Sequence, residues 1–250
     1  MEPQTQDRAP AATNTTATTG TKIHLVGGEK GGVGKSLVAR LLAQYLIDRS
    51  LPFIGFDTDR SHGALMRFYQ GFASPVLVDS YEAMDALVES AVAQPGRRVL
   101  VDLAAQTHEP LVRWMDDSGV LDLAEESGIV LQYWHVMDSG RDSVDLLTRL
   151  LDRFGPRLRY TLVCNELHGS NFALLERSQA LADALSLGAQ GLRLHRLHDS
   201  AMQKIEASNA SFWAAQNATG PEGPGLGLMA RQRLKTWLQH ANVQLARAEP

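Results

Sequence analysis

The chain has 250 residues, 44% of them hydrophobic, with a net charge of −4 and one cysteine, Cys164. That length and apolar content suffice for one large α/β core, and the charge excludes a globally basic surface, so any contact with nucleic acid must rest on local patches. A lone cysteine excludes an internal disulfide framework and suits a reducing, cytoplasmic compartment, and no apolar run approaches the roughly 20 residues of a membrane span.

Residues 1–21 form an Ala/Thr-rich tail with no large aliphatic side chain after Met1. It lacks the apolar centre of a secretory signal and is expected to be disordered. A short branched apolar run at 22–28 then predicts a strand, and apolar residues at helical spacing over 37–47 predict a helix. Downstream, strands are expected at 53–56, 98–103, 129–134 and 160–165, with a weaker one at 192–197. Helices are expected at 81–93, 142–154, 174–185, 201–209 and 229–245. Gly and Pro density makes 217–227 a loop or lid. This alternation predicts a single α/β domain over residues 22–250, a mostly parallel sheet flanked by helices. Ligands of such sheets bind beyond the carboxyl ends of the strands.

Between the first strand and the first helix lies Lys30-Gly31-Gly32-Val33-Gly34-Lys35-Ser36. Wrapping a polyphosphate in backbone N–H groups requires residues without a Cβ and with freedom at positive φ. The helix that follows offers its unpaired first-turn amides and positive dipole end. Lys35 supplies charge to the β- and γ-phosphates and Ser36 a hydroxyl to Mg²⁺. The general P-loop pattern has glycine where this chain has Glu29. The fit is instead to K-G-G-x-G-K-[ST], and here the chain resembles the deviant Walker A ATPases of the ParA/MinD family.

The resemblance implies a P-loop NTPase fold, ATP and Mg²⁺ as ligands, and slow, partner-stimulated hydrolysis. It also implies an ATP-sandwich homodimer in which Lys30 reaches the nucleotide of the other subunit. The nucleotide would contact Gly31, Gly32, Val33, Gly34, Lys35, Ser36 and Leu37. Leu37 itself departs from the second hydroxyl residue usual there. The second strand leads into Asp57-Thr58-Asp59, the place of the family's D-x-D pair, with Asp59 orienting the attacking water and Asp57 in the metal shell, or the reverse. A solvated Asx turn uses the same residues. Phosphoryl transfer passes through a loose transition state, so positioned water and neutralised charge are most of what a protein contributes. Arg98-Val99-Leu100-Val101-Asp102 has the form of a Walker B strand, with Asp102 the Mg²⁺ partner. The continuation Leu103-Ala104-Ala105-Gln106-Thr107 lacks the family's proline and glycine, leaving Gln106 or Thr107 to sense the γ-phosphate. Asn165 ends the strand whose last residue, in related ATPases, hydrogen-bonds the adenine, and its amide offers both donor and acceptor.

Other features fix less. His135, His168, His195 and His198 lack metal-site spacing and are read as surface or packing residues. The final helix is amphipathic and packs on the sheet more economically than it anchors to a membrane. Residues 191–250 hold seven Lys/Arg against four acidic side chains, which fits nonspecific DNA binding by counterion release and a solvated helix face equally. Within the superfamily, Gly34-Lys35-Ser36-Leu37, the segment after Asp102 and Cys164-Asn165-Glu166 look like the mobilisation and conjugal-transfer, TraL-like, branch. The resulting expectation is a switch that positions a cargo such as plasmid DNA or a macromolecular complex with a cargo or activator protein. The alternatives are a metabolic ligase like the dethiobiotin and cobyrinate synthetases, and a nucleotide-bound scaffold with little hydrolysis.

Overall fold

The apolar runs form seven strands: β1 (Lys22–Gly27), β2 (Phe53–Asp57), β3 (Ala73–Pro75), β4 (Arg98–Asp102), β5 (Val130–Met137), β6 (Arg159–Asn165) and β7 (Gln190–Leu194). The structure is a computed structural model describing residues 20–219 and 223–248. Its strands make one sheet in the order β3-β2-β4-β1-β5-β6-β7, every pairing parallel. Two cores follow from the right-handedness of parallel crossovers. Connections running towards β7 carry α3 (Tyr81–Ala93), α4 (His108–Asp117), α5 (Val120–Glu126), α6 (Arg141–Phe154), α7 (Ala173–Glu176) and α8 (Gln179–Ser186) on one face. Those running towards β3 carry α1 (Lys35–Asp48) and α2 (Ala64–Phe68) on the other. After β7 the chain returns to cover that second face with α9 (Asp199–Ser208), α10 (Phe212–Asn217) and α11 (Leu228–Ala248). From the neighbours β1 and β5 the chain therefore leaves in opposite directions, which opens a crevice at their carboxyl ends.

Register sets the site. Val26 and Asp57 both lie opposite Asp102, and Gly27 lies opposite His135. Beyond β7, the free edge is blocked by α11: Gln244 accepts from the Arg193 N–H at 2.7 Å and donates to the Arg193 carbonyl at 2.8 Å, imitating a neighbouring strand.

Several expectations need correction. Of the tail, residues 1–19 lie outside the described residues, but Thr21, just before β1, is tied to the sheet by hydrogen bonds. Its carbonyl accepts from Val130 N–H and its hydroxyl oxygen from Gly96 N–H. The helix expected over 174–185 is two, because Ser178 caps a fresh start by accepting from Leu181 N–H at 3.2 Å. The weak strand at 192–197 lies two to three residues earlier, at Gln190–Leu194. Sequence reading passed over β3, α2, α4, α5 and α10, all short except α4, whose buried Leu111, Trp114 and Met115 are at helical spacing. The segment 217–227, read as a loop or lid, is a loop where it is described beyond α10, and it is pinned: Leu226 is buried and Lys204 donates to the Gly225 carbonyl.

Candidate functional site

The loop between β1 and α1 requires its glycines for two distinct reasons. Gly34 has φ +97°, and a Cβ there would lie 2.2 Å from the Asn165 amide nitrogen; at Gly28, with φ +144°, it would lie 2.4 Å from the Val136 carbonyl oxygen. Beside Gly31 and Gly32 the space is open, with nothing within 4 Å of where a Cβ would stand. The loop is thus fixed from below by β5 and β6 and vacant above, the shape of a phosphate cradle.

Lys35, the first residue of α1, is buried and donates to the Lys30 carbonyl at 3.1 Å, closing the loop on itself. Burial lowers its pKa, although Asp102, Glu29 and Asp59 pull it upward. Asp102 is buried at the end of β4, and neither carboxylate oxygen has a partner within ordinary hydrogen-bond geometry, the Ser36 hydroxyl being the side-chain donor that approaches it. Burial first, and the charge of Asp57 second, push it up to about 7 against the Ser36 hydroxyl and the Lys35 ammonium. An orphaned buried carboxylate next to a serine hydroxyl is a hard-oxygen donor pair that suits Mg²⁺.

A pH dependence follows. The folded-state value of Asp102 lies above its ordinary 3.8, so the protonated form is favoured by folding. That contribution is whole below about pH 4 and is lost as pH rises through about 7. Asp102→Asn should therefore raise the nucleotide-free stability at pH 8 by a few kcal/mol, at about 1.4 kcal/mol per pKa unit, and do little at pH 4. Urea unfolding at the two pH values measures it; equal effects at both would refute the assignment.

The two aspartates after β2 have different surroundings. Asp57 Oδ1 accepts from Asp59 N–H at 3.0 Å, and its Oδ2 accepts from Leu65 and Met66 N–H at 2.9 and 3.3 Å, capping α2. That carboxylate is occupied by backbone. Asp59 Oδ1 accepts from Ser61 and His62 N–H in an Asx turn at the crevice rim. Between them Thr58, which sequence reasoning missed, donates to the Asp102 carbonyl at 3.1 Å and accepts from Ala104 N–H at 2.7 Å. It ties the segment after β2 to the segment after β4, and no spacing in the chain announces it.

Lys30 is one-third exposed and paired within its own chain: 2.8 Å to Asp138 at the end of β5 and 3.7 Å to Asp142 on α6. Asp138, first of all through its side-chain hydrogen bond, holds the Lys30 ammonium above its ordinary pKa. Asp138 is itself held by the Ser143 hydroxyl at 2.8 Å and Gly140 N–H at 3.0 Å. Asn165 donates to the Val33 carbonyl at 2.7 Å and accepts from Leu167 N–H at 3.3 Å, so its amide clamps the loop from beneath. His168 Nε2 lies 3.0 Å from the Gly32 carbonyl, a second strap that the sequence did not indicate. His135 is buried against the Ser143 carbonyl and kept neutral by burial, its pKa lowered to about 4. Leu37 is partly buried within α1 and packs against the core. No cluster of three or more metal-ligating side chains occurs among the described residues.

The all-parallel sheet and the Lys30–Ser36 loop at the carboxyl end of β1 resemble those of P-loop proteins of the deviant Walker A type. No protein-family model matches the chain. Among curated proteins it is similar to MobD of Acidithiobacillus ferrooxidans, 26% identical over 197 residues, 77% of this chain and 86% of that one. It is also similar to a TraL protein of Escherichia coli, 27% identical over 156 residues, 59% of this chain and 64% of TraL. Among solved structures, a plasmid partition protein of Borrelia burgdorferi bound to AMPPNP superposes with a TM-score of 0.47 at 12% identity, over 87% of this chain and 98% of that one. No helix among the described residues is long and apolar enough to cross a membrane.

Proposed function

We propose that this chain is a Mg²⁺-dependent ATPase switch, acting in the cytoplasm, that dimerises around ATP and positions a cargo. The observation that carries the reading is the buried Asp102, held by no close hydrogen bond, beside Lys35 and Ser36 at the mouth of an open glycine cradle. The amides of Gly31 to Ser36 and the first turn of α1 would hold the phosphates, with Lys35 transferring its hydrogen bond from the Lys30 carbonyl to a phosphate oxygen. Leu37 would meet the nucleotide through backbone only. Ser36 and Asp102 would hold Mg²⁺, which supplies charge neutralisation at the β- and γ-phosphates. Asp57, at the edge of that shell, positions the loop by capping α2. Asp59, whose Oδ1 is set by its turn, would orient the attacking water. Asn165 acts as the clamp beneath the base side of the site.

Lys30 completes the reading: once released from Asp138 it would serve the γ-phosphate of a second copy, so the dimer would form with ATP and part after hydrolysis. The nucleotide-binding unit is the single domain 22–250. The likeness to MobD and TraL supports a cargo in plasmid mobilisation or transfer, with a cargo or activator protein and nonspecific DNA as the partners to test. Asp59→Ala is expected to slow ATP hydrolysis by roughly 100-fold or more, as general-base losses do, while leaving ATP binding intact. Size-exclusion chromatography should find that variant dimeric with ATP and monomeric with ADP. Unchanged turnover, or one elution volume with both nucleotides, would defeat the proposal; turnover that appears only with a small metabolite would identify a ligase.

A further inference from the structure

Position 29 is where this chain parts from the general P-loop pattern, and its side chain leaves the loop altogether. Glu29 Oε1 accepts from the N–H of His108, the first residue of α4, at 2.8 Å. That helix has no cap of its own, because the Thr107 hydroxyl turns back to donate to the Ala104 carbonyl at 2.9 Å. We propose that Glu29 is a positioning residue that reports occupancy of the phosphate cradle to α4. The inference rests on the nucleotide-switch reading and names a route by which that site would be coupled to the surface of the protein.

The segment joining Asp102 to α4 is held at two points. One is Thr58, which accepts from Ala104 N–H; the other is Glu29. Between them Gln106 has φ +63°, a left-handed conformation that costs a non-glycine residue free energy and persists only while its surroundings impose it. Glu29 is in turn tied to the cradle in two ways. The peptide of Lys30, its direct neighbour, is held by the Lys35 ammonium, for which an incoming phosphate competes. The negative charge of Glu29 also reaches Lys35 through space, without setting the direction of the response at α4. Of these, the backbone link through the Lys30 carbonyl is the one that bears on the bond to His108. Filling the cradle loosens the bond from Glu29 to His108, and Gln106 and the first turn of α4 are released together.

The test is amide hydrogen exchange of the peptide covering residues 104–112, with and without AMPPNP and Mg²⁺. In the unmodified protein, nucleotide should speed exchange there. Glu29→Ala should exchange roughly fivefold to thirtyfold faster without nucleotide, the loss expected of a missing helix cap, and should no longer respond to it. Glu29→Gln keeps an acceptor without the charge, and should restore both the protection and the response to nucleotide. AMPPNP affinity of both variants should stay within about threefold of the parent, as for substitutions outside a binding surface. A response that persists in Glu29→Ala, or no response in the parent despite bound AMPPNP, would overturn the inference while leaving the switch reading intact. Loss of AMPPNP binding in Glu29→Ala alone would make Glu29 part of the loop's own architecture and equally overturn it. Absence of AMPPNP binding in the parent would instead defeat the switch reading itself.

Discussion

Lys35→Ala is expected to weaken ATP binding at least roughly 100-fold, because a buried ammonium with two phosphates in reach supplies charge-assisted hydrogen bonds where water cannot replace them. Its present acceptor is a backbone carbonyl, so the ammonium is positioned and desolvated before any ligand arrives. The cost of that burial is visible in its lowered pKa. Removing it also strips Asp102 of a favourable neighbour, so the acidity of Asp102 should weaken further and the loss of stability with pH should move above 7. Calorimetric titration with ATP and Mg²⁺ gives the affinity, and unfolding at several pH values gives the second effect. Binding within a factor of about three of the parent would mean that the loop is not where phosphate sits.

The second large effect is expected at Lys30. Alanine there should leave the ATP affinity of the monomer nearly unchanged, since the side chain points away from its own cradle to Asp138 and Asp142. ATP-driven association should fall at least roughly 30-fold, the order found when one partner of a desolvated charge pair is removed from an interface. The pair with Asp138 gives a converse expectation. Formation of the proposed dimer would have to break a bond that Ser143 and Gly140 hold in place. Asp138→Asn, which weakens that bond, should therefore bring association to lower protein concentration. Equal dimerisation of parent and Lys30→Ala with ATP would remove the sandwich from the proposal.

How far these features were readable depends on whether the cause is local. The β1 to α1 junction is legible because glycine, lysine and serine each answer a backbone or charge requirement within seven residues, and alternating apolar runs foretell a parallel sheet, though neither the short edge strand β3 nor the strand order. Asp102 stands where a strand ending in a carboxylate placed it. What escaped is made by contacts distant in sequence. Glu29 reaches across 79 residues to His108, Asn165 across 132 to Val33, and His168 across 136 to Gly32. Asn165 was expected to face the adenine as donor and acceptor, and the same two groups are engaged by the Val33 carbonyl and the Leu167 amide. Among elements, the helix break at Ser178 was legible in principle, because a serine three residues before Leu181 is a cap signal inside an apolar pattern. Thr21 could not be excluded from the tail by composition, since only its pairing with Val130 and Gly96 ties it to the sheet.

The most direct measurement is sedimentation of the unmodified protein and of Lys30→Ala at equal concentration, each with ATP and Mg²⁺ and each with ADP and Mg²⁺. A dimer for the unmodified protein with ATP alone, and a monomer in the other three samples, is the predicted result. A single mass in all four samples, or a dimer of Lys30→Ala as strong as that of the parent, would contradict it.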